Sequence, residues 1–207
     1  MDLDIIDFLK NRRSIREYIP KEVSENILNA ILEAATWAPS AHNAQPWRFI
    51  VIRDSALKLK LAEAMASRWK RDMAKNGISE KDRESLARAS VERFSRAPIV
   101  IVACLTMVEL NRYSDKRRQR IESIMGVQSV AAAIENLLLA AHAMGLGACW
   151  FCTPLFCPET VRKVLKLPPD FEPQALITLG YPADRPLPPL RKPLKEIVHL
   201  NGWGETI

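Results

Sequence analysis

Three arginines and one serine lie within five residues early in the sequence, in the run Arg12-Arg13-Ser14-Ile15-Arg16. Guanidinium groups bind phosphate through paired hydrogen bonds, and a serine hydroxyl adds another donor beside them. The run therefore has the chemistry of a phosphate site, with one cation left for a more distant anionic or carbonyl oxygen. A solvated basic turn after a first helix would have the same composition, so other parts of the chain must decide.

A polar loop between Pro39 and Pro46 is the second candidate. Its Ser40, Asn43 and Gln45 supply hydroxyl and amide groups, which suit the hydrogen-bonding edge of a heterocycle. A plain connection would not need so many such groups. The loop therefore favours a binding interpretation of the arginine run as well.

Other catalytic patterns are weak in this sequence. There is no Gly-x-Gly-x-x-Gly after a strand and no P-loop, so phosphate would have to be held by side chains. Cys149-x-x-Cys152, together with Cys157 and His142, could in principle supply metal ligands. The pair falls within a predicted strand, which favours packed thiols and no metal. The histidines lack a Gly-x-Ser-x-Gly partner, which disfavours a hydrolase.

Apolar periodicity predicts the elements that position these residues. We expect a helix from Asp2 to Asn11 before the arginine run and a second helix capped by Ser24. Strands and helices then alternate without a linker or repeat, which predicts one α+β domain over residues 1–207. The later predicted strands are Trp47–Ile52, Pro98–Cys104, Ala148–Cys152 and Gln174–Gly180, and the later helices are Asp54–Met73, Gly126–Met144 and Pro158–Leu165.

Two segments leave this pattern. Residues 68–97 form a charged helical excursion, which is either a solvated hairpin or a lid over a pocket. Residues 182–207 form a proline-rich tail, which we expect to lie extended along a surface. Arg112 to Arg120 is predicted to be a loop. The helix after it is apolar almost all round, so the core or a second subunit must cover it.

Composition narrows the class of ligand. The 207 residues carry a formal net charge of +6, which favours a phosphate-bearing cofactor, nucleic acid or an acidic membrane. The basic stretches at Arg68 and at Lys116–Arg120 lack interleaved aromatic residues, so solvated faces are favoured over nucleic-acid contacts. Polar residues within 126–144 argue against a membrane span. The cysteine usage and the lack of a basic segment in residues 1–4 predict a cytoplasmic location.

The arginine run followed by Pro-Ser-x-x-Asn-x-Gln-Pro-Trp at 39–47 resembles the FMN-dependent nitroreductase family. The likeness extends to Gly-Leu-Gly-Ala-Cys-Trp at 145–150, Leu-Gly-Tyr-Pro at 179–182 and Arg191-Lys192 in the tail. It implies a three-layer α+β fold with a central mixed antiparallel sheet flanked by helices. It also implies an intertwined homodimer with two FMN sites at its interface.

The resemblance also implies roles for single residues. Arg12, Arg13 and Ser14 would bind FMN at its phosphate and ribityl end, although Arg13 has no defined contact. Arg16 would be the catalytic cation, because hydride addition at flavin N5 places negative charge on N1 and the C2 oxygen. The remaining cofactor-binding residues implied by the family are Ser40, Asn43, Gln45, Cys152, Thr153, Arg191 and Lys192.

The implied function is an oxidoreductase that passes hydride from NAD(P)H through FMN to a nitroaromatic, quinone or similar acceptor, in ping-pong order. Leu167-Pro168-x-Asp170-x-Glu172-Pro173 and Arg68-Trp69-Lys70-Arg71-Asp72 are also similar to the reductase domain of the two-domain coenzyme F420 glutamyl ligase. A dehydro-F420-type intermediate is therefore an alternative acceptor. A non-catalytic nucleotide- or nucleic-acid-binding module is the alternative of another class.

Overall fold

Six helices and four strands make up the computed structural model, which describes residues 5–206. The first helix is predicted from Asp2 to Asn11, and the residues of that prediction before Ile5 lie outside the described part. In chain order the helices are α1 Ile5–Asn11, α2 Glu25–Thr36, α3 Ser55–Lys75, α4 Glu80–Arg96, α5 Lys116–Ala143 and α6 Pro158–Leu165, and the strands are β1 Trp47–Ile52, β2 Ile99–Thr106, β3 Gly147–Phe151 and β4 Phe171–Gly180.

The four strands form one sheet in the order β1-β2-β4-β3, and every pairing between them is antiparallel. Strand β2 is buried at every position, because helices cover both faces of the sheet. Ile99, Ile101 and Leu105 pack with α2 and α5 on one face. Val100 and Val102 pack with α3, α4 and α6 on the other. The predicted three-layer α+β fold is confirmed.

Strand β4 begins three residues before the predicted Gln174. Proline lacks an N–H and disfavours a strand interior, so the presence of Pro173 leads to a predicted strand that begins only after it. In the structure the register between β2 and β4 shifts at Ala103/Cys104, where Cys104 pairs with Pro173. A bulge of this kind admits an extra residue and tolerates a proline beside it.

Helix α5 begins at Lys116, so the predicted loop over Arg112 to Arg120 is wrong for its second half. The cause is local: the Asp115 side chain accepts a hydrogen bond of 2.9 Å from the Arg118 backbone N–H and caps the helix. By length and composition α5 is the one helix of residues 5–206 that could cross a membrane. The core helix of a globular protein passes the same test, and Ala133, Ile134 and Leu137 are fully buried.

The excursion at 68–97 continues α3, turns at Asn76-Gly77 and returns as α4. Helices α3 and α4 pack on each other and against the β2 face through Met65 and Phe94. The tail after β4 contains one short 3-10 turn, Leu194–Glu196, and no longer helix or strand among the described residues. Several apolar side chains there, including Leu190 and Trp203, are almost fully exposed.

Candidate functional site

The arginine run lies along β3, which is an edge strand of the sheet. Ser14 forms a parallel bridge with Ala148, and the Ile15 N–H donates to the Ala148 carbonyl at 3.0 Å. Ile15 itself is buried, at 4% exposure. A Cβ on Gly147 would lie 2.5 Å from the Cβ of Ile15, so the close approach requires glycine at that position. The run is therefore part of the folded core's edge and not a free turn.

Tyr18 fixes the other end of the run. Its hydroxyl donates to the Ile15 carbonyl at 2.6 Å and lies 2.7 Å from the Thr178 hydroxyl on β4. Burial raises the pKa of Tyr18, so the phenol stays protonated. The start of the tail is held against the same segment, because the Ala183 N–H donates to the Glu17 carbonyl at 3.0 Å.

The three guanidinium groups of the run have different partners. Arg12 Nε lies 3.5 Å from a carboxylate oxygen of Glu135 on α5. Arg13 donates to the backbone carbonyls of Lys10 and Arg12 at 2.6 and 2.7 Å. Arg16 is exposed and makes a long bond of 3.4 Å to the Ser14 carbonyl. Arg16 is thus the guanidinium of the run with most of its donors open to a ligand.

A cavity of about 40 Å³ lies beside the run and is lined by Arg12, Arg13, His142 and Arg185, among others. Burial and then the charges of Arg185, Arg12 and Arg13 lower the pKa of His142. The space has the size and sign of charge that suit a small anionic group. The predicted cofactor-binding residues included neither Arg185 nor His142. The hydrogen bond from the Ala183 N–H to the Glu17 carbonyl places Arg185 at this cavity, a contact between distant segments that the sequence does not show.

The loop from Ser40 to Gln45 has an unusual backbone. His42, Asn43 and Gln45 have φ values of 57°, 52° and 47°, a region that non-glycine residues rarely adopt. The Gln45 N–H donates to the Ser40 hydroxyl at 3.1 Å, which closes the loop. Strained backbone held by side-chain bonds is typical of functional loops, because the surrounding structure must impose the conformation.

Helix α5 holds this loop in place. The Ala41 N–H donates to the Ser129 hydroxyl at 3.1 Å, and His42 Nε2 lies 3.4 Å from the buried Glu122 carboxylate. Arg12, by contrast, meets α5 at Glu135, and the cavity beside it reaches His142. At about 1.5 Å per residue, Ser129 and Glu135 lie about 9 Å apart along the helix. One chain therefore holds the loop and the arginine run at separate places on α5.

The remaining predicted residues lie elsewhere. Cys152 is exposed and precedes a 3-10 turn that starts at Thr153, at the end of β3. The indole N–H of Trp150, two residues earlier, is buried with no hydrogen-bond partner in the described structure. Arg191 and Lys192 are exposed in the tail, and no carboxylate among residues 5–206 forms an ion pair with either.

The other cysteines are packed groups. Cys104, Cys149 and Cys157 are buried and free, and burial raises the pKa of each thiol. For Cys104 the pKa rises to about 12. Over residues 5–206 no group of three or more His, Cys, Asp or Glu side chains is arranged to hold a metal ion.

The antiparallel three-layer fold and the basic run beside its edge strand define an α+β protein with an arginine-lined cavity at one edge of the sheet. Comparison with known families makes this specific: the model of the nitroreductase family matches residues 9–181. The chain belongs to the nitroreductase family.

Curated relatives are similar over most of the chain. A putative NADH dehydrogenase/NAD(P)H nitroreductase of Methanothermobacter thermautotrophicus is 32% identical over 188 residues, which is 89% of this chain and 80% of the relative. A protein of Thermus thermophilus named NADH dehydrogenase is 35% identical, over 90% of this chain and 91% of its own. Among solved structures, a putative nitroreductase in complex with FMN from Desulfovibrio desulfuricans has a TM-score of 0.73 and 27% identity, with 98% of this chain and 99% of that chain covered.

Proposed function

We propose that this protein is an FMN-dependent oxidoreductase that takes hydride from NAD(P)H and reduces a nitroaromatic, quinone or similar electron-poor acceptor. The observation that carries the proposal is the bridge from Ser14 to Ala148, which fixes the arginine run beside the strand that ends at Cys152. The relatives named NAD(P)H nitroreductase and the neighbour with bound FMN support the same chemistry.

The donor set fits FMN. Arg12 and Ser14 would hold its phosphate and ribityl end, and the cavity lined by Arg12, His142 and Arg185 offers a further anionic subsite. Bound FMN would supply hydride transfer at N5. Arg16, with its open donors, would stabilise the negative charge that develops at the pyrimidine edge. The unpartnered indole N–H of Trp150 is a donor that a ligand carbonyl would satisfy.

We infer that the active unit is a homodimer with the cofactor at its interface. Within one chain the Ser40–Gln45 loop and the arginine run contact α5 at different residues, Ser129 and Glu135, and we propose that two chains each contribute one of these parts to a shared site. Ser40, Asn43 and Gln45 would then act on the partner's cofactor, and the exposed Arg191 and Lys192 are available for the phosphate. The four free cysteines fit a reducing compartment, and we propose the cytoplasm.

The absorption spectrum of the purified protein tests the proposal. We expect flavin bands, and we expect Arg12→Ala and Arg16→Ala to lose most of the bound FMN, because each removes a charge-assisted contact. Arg71→Ala is the matched control, since Arg71 is an exposed arginine on α3 whose one hydrogen bond goes to Ser67. A colourless protein that takes up no added FMN would contradict the proposal.

A dehydro-F420-type intermediate remains the second acceptor that we propose to test, on the sequence likeness at 68–72 and 167–173. Oxidation of the NADH-reduced protein by that compound, followed in a stopped-flow spectrometer, would favour it over simple nitroaromatics. A non-catalytic binding module does not fit membership in a family named for its reductases. Flavin-free protein that binds nucleic acid in a salt-sensitive way would revive that alternative.

A further inference from the structure

A second and much larger cavity, of about 550 Å³, lies between the α3–α4 hairpin and the segment that follows β3. Its floor consists of Met65, Met73 and Phe94, each at most 6% exposed. Helices α3 and α6 and the 3-10 turn at Thr153–Phe156 pack together around it, which fixes its shape. A volume of this size is in the range of pockets that bind small organic molecules.

The walls are suited to a flat aromatic ring. Trp69, Phe151 and Phe156 line the cavity, and Phe151 meets Phe94 edge to face at 5.0 Å between ring centroids. Phe156 is 76% exposed, an unusual position for a large apolar side chain beside a cavity. Aromatic walls bind planar rings by stacking and edge-to-face contact. Two methionines in the floor adapt to ligands of different outline.

The charged groups in the lining do not balance. Arg68 is paired with Asp72, with Nε to Oδ2 at 2.9 Å. Arg93 has no carboxylate partner among residues 5–206, and its guanidinium carbon lies 5.9 Å from the centroid of the Phe151 ring. The cavity thus presents one uncompensated guanidinium next to an aromatic wall. An arginine so placed is free to bind a carboxylate through both of its terminal nitrogens.

The cavity opens onto the proposed redox site, because Cys152 and Thr153 form part of its lining. We propose that this cavity is the acceptor pocket and that it selects planar aromatic compounds bearing a carboxylate, which Arg93 binds. This inference rests on the proposed reductase function. The α3–α4 excursion is then the element that determines which acceptors the protein reduces.

Two probes that share the nitrophenyl ring test the proposal: 4-nitrobenzoate, which carries a carboxylate, and 4-nitrobenzyl alcohol, which carries a neutral hydroxymethyl group in its place. Calorimetry on the protein as purified, without NAD(P)H, gives Kd for each without turnover. We expect tighter binding of 4-nitrobenzoate, and an increase in its Kd of about tenfold in Arg93→Gln, because one charge-assisted contact is lost. The Kd for the alcohol should not change.

Three further variants make the result specific. Arg96→Gln removes a guanidinium one helical turn away on α4, outside the cavity, and should change neither Kd. Arg93→Lys should restore part of the preference for 4-nitrobenzoate. Ala89→Phe adds a ring to the lining at an exposed position and should weaken both probes, whether or not Arg93 is intact.

Steady-state kinetics separates this inference from the proposed function. With NADH as donor, reduction to the nitroso compound consumes NADH, a proton and the nitro group and releases NAD⁺ and water, and KM should follow the same pattern as Kd. Equal binding of the two probes, or an Arg93→Gln protein with unchanged Kd, would overturn the inference. Selective binding of 4-nitrobenzoate by a protein that reduces neither probe would instead overturn the acceptor role of the cavity, whereas the proposed function fails only if the protein binds no FMN or reduces no nitroaromatic or quinone with NAD(P)H.

Discussion

At the scale of single residues, a few close contacts decide where the arginine run lies. The Ile15 N–H donates to the Ala148 carbonyl, and the Ile15 carbonyl accepts a hydrogen bond from the Tyr18 hydroxyl. The Ile15 side chain packs directly against Gly147, where a Cβ would leave no room for it. None of these contacts involves a guanidinium group. The positions of Arg12 and Arg16 therefore depend on neighbours with no ligand chemistry of their own.

Gly147→Ala tests this dependence. The added Cβ would lie 2.5 to 2.7 Å from three side-chain atoms of Ile15, so the run must move away from β3. We expect a loss of about 2 kcal/mol in unfolding free energy, as for other overpacked sites, and weaker FMN binding. Urea denaturation and flavin titration measure the two effects. Gly202→Ala, with nothing within 4 Å of its Cβ, is the control, and unchanged flavin affinity in Gly147→Ala would contradict the argument.

The buried thiols predict a loss of stability in alkali. Burial raises the pKa of Cys104 to about 12, whereas an unfolded thiol ionises near 9, so the unfolded chain releases this proton first. The stabilisation is complete below about pH 9 and is lost as pH rises toward 12, at about 1.4 kcal/mol per pH unit. Urea denaturation at several pH values gives the unfolding free energy as a function of pH, and its slope with pH above pH 9 should be smaller in Cys104→Ala than in the wild type. Cys152→Ala, at an exposed thiol, should keep the wild-type slope.

At the scale of elements, periodicity and caps predict most of the fold. Strand β1 and helix α6 have the predicted bounds, and α2 begins after its Ser24 cap. The errors have local causes: an aspartate cap extends α5 to Lys116, and a bulge admits Pro173 into β4. The site is less predictable, because the approach of Arg185 to Arg12 depends on contacts between segments far apart in sequence.

The loop from Ser40 to Gln45 depends on α5 for its strained conformation, and Ser129→Ala tests that dependence. The variant removes the acceptor of the Ala41 N–H in a buried setting, which costs about 1–2 kcal/mol. We expect faster hydrogen exchange in the loop and weaker FMN binding. Ser123→Ala is the matched control, because Ser123 bonds within α5 only. Equal hydrogen-exchange rates in the two variants would show that the loop keeps its conformation without the hydrogen bond to Ser129.

At the scale of the whole molecule, apolar surface on one face of α5 points to a second chain. Ile121, Ile124 and Val127 recur at helical spacing and are 48%, 48% and 42% exposed. Large exposed apolar patches mark interaction sites, and the tail carries further exposed apolar side chains, such as Leu190 and Trp203. A helix that is apolar almost all round is thus covered by the sheet on one side and open on the other.

We therefore expect Ile124→Asp to separate the proposed homodimer and to release the flavin together. A charge placed in an apolar interface has no partner, and in the proposed homodimer each chain supplies only one part of the site. Light scattering coupled to size exclusion should report about twice the 23.4 kDa chain mass for the wild type and a shift toward one chain for the variant. Leu59→Asp, at an exposed leucine on α3, should leave mass and flavin unchanged. A monomeric Ile124→Asp protein that retains full flavin would show that one chain is sufficient for cofactor binding, and the Ser40–Gln45 loop would then need another role.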